Sequence, residues 1–344
     1  MKKKTSNKRY FIALAGLLFV CFSYYPYQSF YTPNIQVEKE DFILYIPTGA
    51  TFTTVRDSLE KHQVLHNVLS FAFVAKIMGY QDKVKPGRYL LPKNSSNLTV
   101  IRKLRSGQQE PLNFTFNNIR IKKDLAEKLG EKLERPAGDF MKVLIDPKIT
   151  AEYGFDSNTV IAMFIPNTYK VFWNMSPEEF MKKMNREYKK FWNEDRLAKA
   201  KAAGFTPLQI SIIASIVEAE TNKDSEKPRI AGVYINRLRE DMPLQADPTV
   251  KFALQDFAIK RVTQEHTAFD SPYNTYKNPG LPPGPINMPS TVSLDAVLNY
   301  EKHKYIYFCA SPNEIGYHDF AVDYKDHVNN ANRYRKFLDK QKIH

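Results

Sequence analysis

The stretch TPLQISIIASIVEAET, residues 206–221, predicts a buried helix with a carboxylate near its end. Thr206 followed by Pro207 is typical of a helix N-terminus, with a hydroxyl as N-cap and a proline in the first turn. At about 100° per residue, one face of this helix is apolar and the opposite face places small side chains around Glu218. The apolar residues are Ile212, Ile213, Ile216 and Val217, and the small ones are Ser211, Ala214 and Ser215. We therefore expect space for a substrate beside Glu218.

The predicted setting of Glu218 favours acid–base chemistry. Apolar walls disfavour the charged form of a carboxylic acid, so they raise its pKa toward the range that suits a general acid at neutral pH. Glu220 lies about 160° away around the helix, so it cannot form a local dyad with Glu218 and should pair structurally, for example with Arg229. From helix geometry alone, a solvent-exposed glutamate near a helix end is an equal alternative.

Further motifs follow this helix in a fixed order. They are IAGVYINRL at 230–238, MPLQADPTV at 242–250, and SPYNTY at 271–276 with GLPPGPI at 280–286. Together with SIVEAET at 215–221, they resemble the motifs of the YceG-like endolytic peptidoglycan transglycosylases. The resemblance extends from about residue 206 to 328 and, more weakly, over the N-terminal half. It puts Glu218 at the catalytic position of that family.

The resemblance implies a lytic reaction on peptidoglycan, an activity of the carbon–oxygen lyase class. Glu218 would protonate the oxygen of a MurNAc–GlcNAc β-1,4 bond within a nascent strand. As a carboxylate it would then help the sugar's own 6-hydroxyl close onto the anomeric carbon, giving a 1,6-anhydroMurNAc end. Ordinary glycosidases need two carboxylates, whereas this lytic reaction needs only one. Two alternatives stay open: a muramidase-type hydrolase, in which Asp247 or another acid activates water, and a non-catalytic peptidoglycan-binding scaffold of the wall-synthesis machinery.

Polar side chains of these motifs are candidates for contact with substrate. They are Ser215, Gln245, Asp247, Asn274, Thr275 and Tyr276. Amide, hydroxyl and carboxylate groups can bind sugar hydroxyls and acetamides, and a tyrosine ring offers a flat face to a pyranose. Each could instead cap a turn, and Asp-Pro-Thr is also a favourable helix start. The histidines are scattered without HExxH or comparable ligand spacing, and no nucleotide-binding loop is present, so we predict neither a metal nor another cofactor.

The N-terminus predicts a membrane anchor. Residues 1–9 carry five positive charges and no acid, and residues 10–31 form an apolar segment with aromatic flanks. The positive-inside rule then places the N-terminus in the cytoplasm and the remainder outside the cytoplasmic (inner) membrane of a bacterium, as a single-pass protein. A cleaved signal peptide is one alternative. A lipoprotein modified at Cys21 is another, although Phe19 and Val20 are bulky for a lipobox.

The region after the anchor predicts an α+β fold. Residues 32–110 should order a strand, two helices and a strand, which resembles a LysM-like module, although a small domain without ligand is an equal alternative. Residues 111–170 form a connecting α+β unit, and residues 171–344 a mixed α/β catalytic domain. Within the latter we expect a helix from Ser176 to about Asp195 and a buried strand over 305–310.

Composition narrows the class of partner. The net charge of +13 over 344 residues includes five charges in the N-terminal segment, and no basic stripe with interleaved aromatic residues is present. Nucleic acid is therefore excluded as a partner, while peptidoglycan strands and the membrane fit. The resemblance adds penicillin-binding synthases and elongation or division proteins as possible partners. Cys309 cannot pair with Cys21 if the latter lies in the bilayer, so we expect no disulfide.

Overall fold

The computed structural model describes residues 4–37, 40–117 and 119–340. The first three residues of the basic segment and the side chain of Cys21 lie outside the described residues. The chain divides into two units, one with residues up to 114, 132–134 and 170–175, and the other with residues 115–131, 135–169 and from 176 onward. Residues 132–134 and 170–175 thus belong to the first unit by their contacts, and the predicted domain boundaries stay a prediction.

The N-terminal helix α1 covers Lys4–Tyr31. Its 22 residues Tyr10–Tyr31 are long and apolar enough to cross a membrane, as the sequence predicted. The end of the helix belongs to the first unit, since Ser29 is buried and its carbonyl accepts a 2.9 Å hydrogen bond from Nδ2 of Asn97. A signal sequence shares the length and composition of this helix, so an uncleaved anchor stays a prediction.

The first unit has the strand–helix–helix–strand order that the sequence predicted. Its elements after α1 are β1 (Phe42–Ile46), α2 (Phe52–Lys61), α3 (Val68–Ile77), β2 (Gly87–Leu91) and α4 (Asn97–Ser106). The two strands are antiparallel, with Phe42 opposite Leu91 and Ile46 opposite Gly87. Phe71 and Tyr89 are among the fully buried side chains of its core. The similarity of this unit to a LysM module, and its binding of glycan, stay predictions.

The rest of the chain is mostly helical. Its elements are β3 (Leu112–Phe116), α5 (Lys122–Lys132), α6 (Ala137–Ile145), α7 (Pro147–Glu152), β4 (Asn167–Val171), α8 (Pro177–Phe191), α9 (Glu194–Ala203), α10 (Pro207–Glu220), α11 (Lys227–Arg239), α12 (Asp247–Leu254), α13 (Gln264–Thr267), α14 (Thr291–Leu298), β5 (Tyr307–Ala310), β6 (His318–Ala321) and α15 (Tyr324–Lys340). Two-stranded sheets pair β3 with β4 and β5 with β6. The described residues therefore form an α+β protein with small sheets.

Two predicted elements of the second unit need correction. The helix that starts after Ser176 has the expected capping box with Glu179, but it ends at Phe191 rather than near Asp195. It stops there because the side chain of Asn193 caps a new helix by accepting the backbone N–H of Arg196 at 3.0 Å. The strand predicted over 305–310 starts at 307 and is half-buried rather than buried, since it belongs to a two-stranded sheet.

Candidate active site

Helix α10 forms the centre of the second unit's core. Its capping box joins Thr206 and Gln209, whose backbone and side-chain groups bond reciprocally at 2.8 and 3.3 Å. Every residue from Ile210 to Val217 is buried. Glu218 is the first residue after this run whose side chain is only half-buried, and it borders a cavity of about 590 Å³. The sequence-based position of Glu218 at the end of a buried helix is confirmed.

The prediction of open space above the small residues of α10 is wrong, because other parts of the protein occupy that space. Oγ of Ser215 accepts the backbone N–H of Ile286 at 3.1 Å, and Nδ2 of Asn287 donates to the carbonyl of Ser215 at 2.7 Å. Helix α14 also packs against α10. Small side chains allow this close approach. The cavity lies instead at the C-terminal end of the helix, where the loop through Ile286 and Asn287 lines it.

The carboxylate of Glu218 is held through one oxygen. Its Oε2 atom accepts hydrogen bonds from Nζ of Lys227 at 3.3 Å, from Oγ of Ser290 at 2.6 Å and from Oγ of Ser293. No described residue donates a hydrogen bond to Oε1 of Glu218. One oxygen is thus fixed by three donors, while the other is available to a molecule in the cavity.

These contacts reverse the expected direction of the pKa shift. Burial alone would raise the pKa of Glu218, but the hydrogen bonds from Ser290 and Ser293 and the charge of Lys227 together outweigh it and lower the pKa below its usual value. The sequence-based expectation of a raised pKa is therefore wrong. Sequence reasoning missed these three residues because they contact Glu218 only in the folded chain, across separations of up to 75 positions.

The walls of the Glu218 cavity combine charged, amide and apolar groups. Besides Glu218 and Ala219 they comprise Arg120, Asp124, Asn222, Pro248, Lys251, Phe257, Ile286, Asn287 and Met288. Asp124 places another carboxylate in this cavity, although its Oδ2 atom also accepts the backbone N–H of Ile121 at 3.4 Å in the first turn of α5. Sequence reasoning missed Asp124 as well, because nothing local connects α5 with α10.

Two of the predicted substrate-binding side chains lie in the interior. Asn274 is fully buried, and its Nδ2 atom donates to the carbonyls of Thr267 at 2.9 Å and Phe269 at 2.7 Å. Oγ1 of Thr275 accepts the N–H of Ala246 at 3.0 Å and is likewise buried. Like Ser215, these residues hold loops in place, and the structure does not bring them to the cavity beside Glu218.

The other predicted substrate-binding residues border a separate cavity of about 260 Å³. Gln245, Asp247 and Tyr276 line it together with Glu220. The hydroxyl of Tyr276 donates to Oδ1 of Asp247 at 2.6 Å, and Gln245 has a backbone φ of 50°, in the left-handed region. Asp247 therefore does not line the cavity that contains Glu218, where the second acid of a hydrolase would be needed.

Glu220 belongs to this second cavity, and its predicted pairing with Arg229 is wrong. Its Oε1 atom accepts a 2.5 Å hydrogen bond from the hydroxyl of Tyr234, while Arg229 pairs with Glu301 at 2.9 Å. Burial raises the pKa of Glu220 to about 7, and the charge of Asp247 adds to the rise. The expectation that Glu218 and Glu220 do not form a local pair fits their positions on two cavities.

Metal ligation has no support in the described part of the chain. No group of three or more His, Cys, Asp or Glu side chains there could hold a metal ion. His318 uses its Nδ1 atom in a 2.8 Å contact with Oε2 of Glu226. The candidate site thus consists of an anchored carboxylate beside a cavity, in an α+β protein with an N-terminal apolar helix.

The chain belongs to the YceG-like family, whose model matches residues 44–333. It is 27% identical over 320 residues to a Streptococcus pneumoniae protein named endolytic murein transglycosylase, covering 83% of this chain and 57% of that relative. A Bacillus subtilis protein of the same name is 27% identical over 325 residues, covering 89% of this chain and 88% of the relative. This chain therefore spans little more than half the length of the pneumococcal relative.

A solved structure supports the fold assignment. The crystal structure of a yceG-like protein from Listeria monocytogenes is similar with a TM-score of 0.56 at 27% sequence identity. The similarity covers 85% of this chain and 99% of the Listeria chain. The family and its overall fold thus extend over most of this chain.

Proposed function

We propose that this protein is an endolytic murein transglycosylase that cleaves the MurNAc–GlcNAc β-1,4 bond within nascent strands without adding water. The family membership and the names of its relatives support this activity. One observation about the site carries the proposal: Oε2 of Glu218 is fixed by three donors and Oε1 is unoccupied among the described hydrogen bonds, at the edge of a cavity large enough for a sugar.

In the proposed reaction Glu218 acts first as acid and then as base. A proton on Oε1 moves to the glycosidic oxygen as the bond from that oxygen to the anomeric carbon of MurNAc breaks. The carboxylate then accepts the proton of the C6 hydroxyl while that oxygen bonds to the anomeric carbon. The product is a 1,6-anhydro ring, and Glu218 regains its proton. Lys227 and the two serines stabilise the carboxylate between these steps.

The lowered pKa of Glu218 leaves its carboxyl ionised in the free protein at neutral pH. A general acid must be protonated before it can act. We propose that a bound glycan brings this about by displacing water from the cavity. Desolvation disfavours the charged form and is the largest single effect on this group, so further burial by the glycan raises the pKa. Proton uptake would then accompany substrate binding.

A muramidase-type hydrolase is the second candidate, because Asp124 lines the same cavity as Glu218. In that reaction Asp124 would activate a water molecule and the product would carry that water. Mass spectrometry of glycan fragments separates the two reactions, since an anhydro end is lighter than a hydrolysed end by one water. We expect anhydro ends from the wild-type protein and from Asp124→Asn. Hydrolysed ends that vanish in Asp124→Asn would establish the hydrolase instead.

The predicted contact residues divide into two groups in this proposal. We propose that Gln245, Asp247 and Tyr276 contact a sugar in the second cavity, whose rim they form. Ser215, Asn274 and Thr275 would hold the walls rather than touch sugar, because their polar groups are used inside the protein. A non-catalytic scaffold would bind peptidoglycan and release no fragment, so the same digestion tests that alternative.

We further propose a single-pass arrangement with the N-terminus in the cytoplasm and the catalytic region outside the bacterial cytoplasmic membrane. Helix α1 and the five positive charges of residues 1–9 support it. Nascent glycan strands near the membrane would then be within reach, alongside penicillin-binding synthases and elongation or division proteins. Protease added to intact spheroplasts should degrade residues after 32. Full protection of that region would contradict the orientation.

A further inference from the structure

Two cationic side chains on the wall of the Glu218 cavity have no ion-pair partner among the described residues. Lys251 lies on the same side of α12 as Pro248, one turn earlier, and both border the cavity. Arg120 precedes α5, and its guanidinium carbon lies 4.6 Å from the centre of the Phe257 ring, which also lines the cavity. The aromatic ring orients the guanidinium on the wall and leaves its N–H groups free for a ligand.

The carboxylates of the cavity are partly engaged, and neither forms an ion pair with Arg120 or Lys251 among the described residues. Oε2 of Glu218 contacts the ammonium of Lys227, which is only 4% exposed. Asp124 accepts the backbone N–H of Ile121 in the first turn of its helix, where a negative charge is favourable. Arg120 and Lys251 therefore remain as positive charges of the wall that contact no carboxylate at ion-pair distance among the described residues, although the charge of Lys251 also acts on Glu220.

A glycan that entered this cavity would remove water from both cations. Removing water from a charged group is unfavourable unless the ligand brings an opposite charge or hydrogen-bond acceptors. A carboxylate satisfies both requirements, and a guanidinium binds it with two parallel hydrogen bonds. A neutral sugar chain offers hydroxyl and acetamide acceptors but no compensating charge, so the wall should bind it less tightly than an anionic strand.

We propose that the Glu218 cavity selects glycan strands that carry a carboxylate, with Arg120 and Lys251 as the specificity-determining residues. The inference rests on the proposed glycan-cleaving function. Peptidoglycan offers this chemistry from two sources: the lactyl group of a muramic sugar whose peptide has been removed, and the carboxylates of the attached peptide. Both sources place an anion on a substituent of the sugar whose glycosidic bond is cleaved.

Equilibrium binding to matched strands tests the inference without requiring turnover. The full chain in detergent is titrated with peptide-free glycan strands and with the same strands after their lactyl carboxylates are converted to amides. Peptide-bearing strands, intact and amidated, form the second arm. We expect roughly tenfold tighter binding of the carboxylate form in at least one arm, weakening as salt is added. The arm that shows the preference identifies the source of the carboxylate.

Variants connect the preference to the two side chains. The double variant Arg120→Gln with Lys251→Gln should lose the preference, and Arg120→Lys with Lys251→Arg should retain it. Lys302→Gln removes the charge of an exposed lysine that lines neither cavity and should change nothing. Equal binding of carboxylate and amide strands in both arms, or a preference that survives in the Gln double variant, would overturn the inference. Failure of the proposed function gives a different result: carboxylate preference without anhydro ends.

Discussion

Nζ of Lys227 lies 3.3 Å from Oε2 of Glu218 and 2.8 Å from Oδ1 of Asp224. Lys227 begins helix α11 and is only 4% exposed, so its charge acts on Glu218 with little screening by water. This contact, with the hydroxyls of Ser290 and Ser293, favours the ionised form of the proposed catalytic acid. The pH dependence of the reaction is therefore a direct readout of the site.

Removing these donors should shift the pH profile to higher pH. The pKa of Glu218 is lowered, so in the free protein the acid form becomes populated only as the pH falls. We expect kcat/KM to rise toward acid pH. Lys227→Met and Ser293→Ala withdraw stabilisation of the carboxylate and raise the pKa, so the rise should begin at a higher pH in both variants.

Ser211→Ala is the matched control for the pH experiment. Ser211 is a buried serine of α10 whose hydroxyl donates to the carbonyl of Pro207 and does not touch Glu218. Its profile should coincide with that of the wild-type protein. Profiles of Lys227→Met and Ser293→Ala that also coincide with the wild-type curve would exclude Glu218 as the titrating acid.

Glu220 should make the stability of the folded protein fall as the pH rises. Burial raises its pKa from 4.5 to about 7 in the folded protein, so folding favours its protonated form. The stability that this proton contributes is complete below the unfolded pKa and is lost as the pH rises through about 7. Glu220→Gln does not titrate. The free energy of unfolding of Glu220→Gln minus that of the wild-type protein should therefore increase by on the order of 2 kcal/mol between about pH 5 and pH 8.

Urea titrations of both proteins at several pH values measure this difference. The loss of the hydrogen bond between the Glu220 carboxylate and Tyr234 changes the absolute stability, so only the change with pH is compared. Parallel curves for wild type and Glu220→Gln would show that Glu220 ionises normally in the folded protein.

Ser215 should matter for stability more than its neighbour on α10. Ser215→Ala leaves the buried N–H of Ile286 without its acceptor, which costs about 1–3 kcal/mol. Ser211→Ala removes only a local bond to the helix's own backbone and should cost less. The two variants delete the same atoms from buried positions, so the difference between their unfolding free energies isolates the Ile286 contact. Equal losses would contradict that assignment.

The parts of the fold that sequence predicted are those with local signals. Thr206-Pro207 and Ser176-Pro177 start helices because the residues that cap each first turn are adjacent in sequence. Ser290 carries a similar cap signal for α14, but nothing near it in sequence indicates that it also faces Glu218, 72 positions earlier. The direction of the Glu218 pKa shift depends on that distant contact, so it could not be predicted.

The type of a polar residue also did not predict whether its side chain lines the cavity. Asn274 and Thr275 have side chains suited to sugars, yet the structure uses both to fix loops in the interior. Arg120 and Asp124 lie far from the motifs in sequence and reach the cavity only through the packing of the second unit. Which polar side chain faces a cavity depends on tertiary contacts that a single sequence does not show.

The most direct test compares two glutamates that lie two positions apart on α10 but border different cavities. Purified wild-type protein, Glu218→Gln and Glu220→Gln are each incubated with peptidoglycan strands, and the fragment ends are identified by mass spectrometry. We predict 1,6-anhydroMurNAc ends from wild type and Glu220→Gln and none from a folded Glu218→Gln protein. Anhydro ends from Glu218→Gln at the wild-type rate would contradict the central assignment of Glu218 as the catalytic acid.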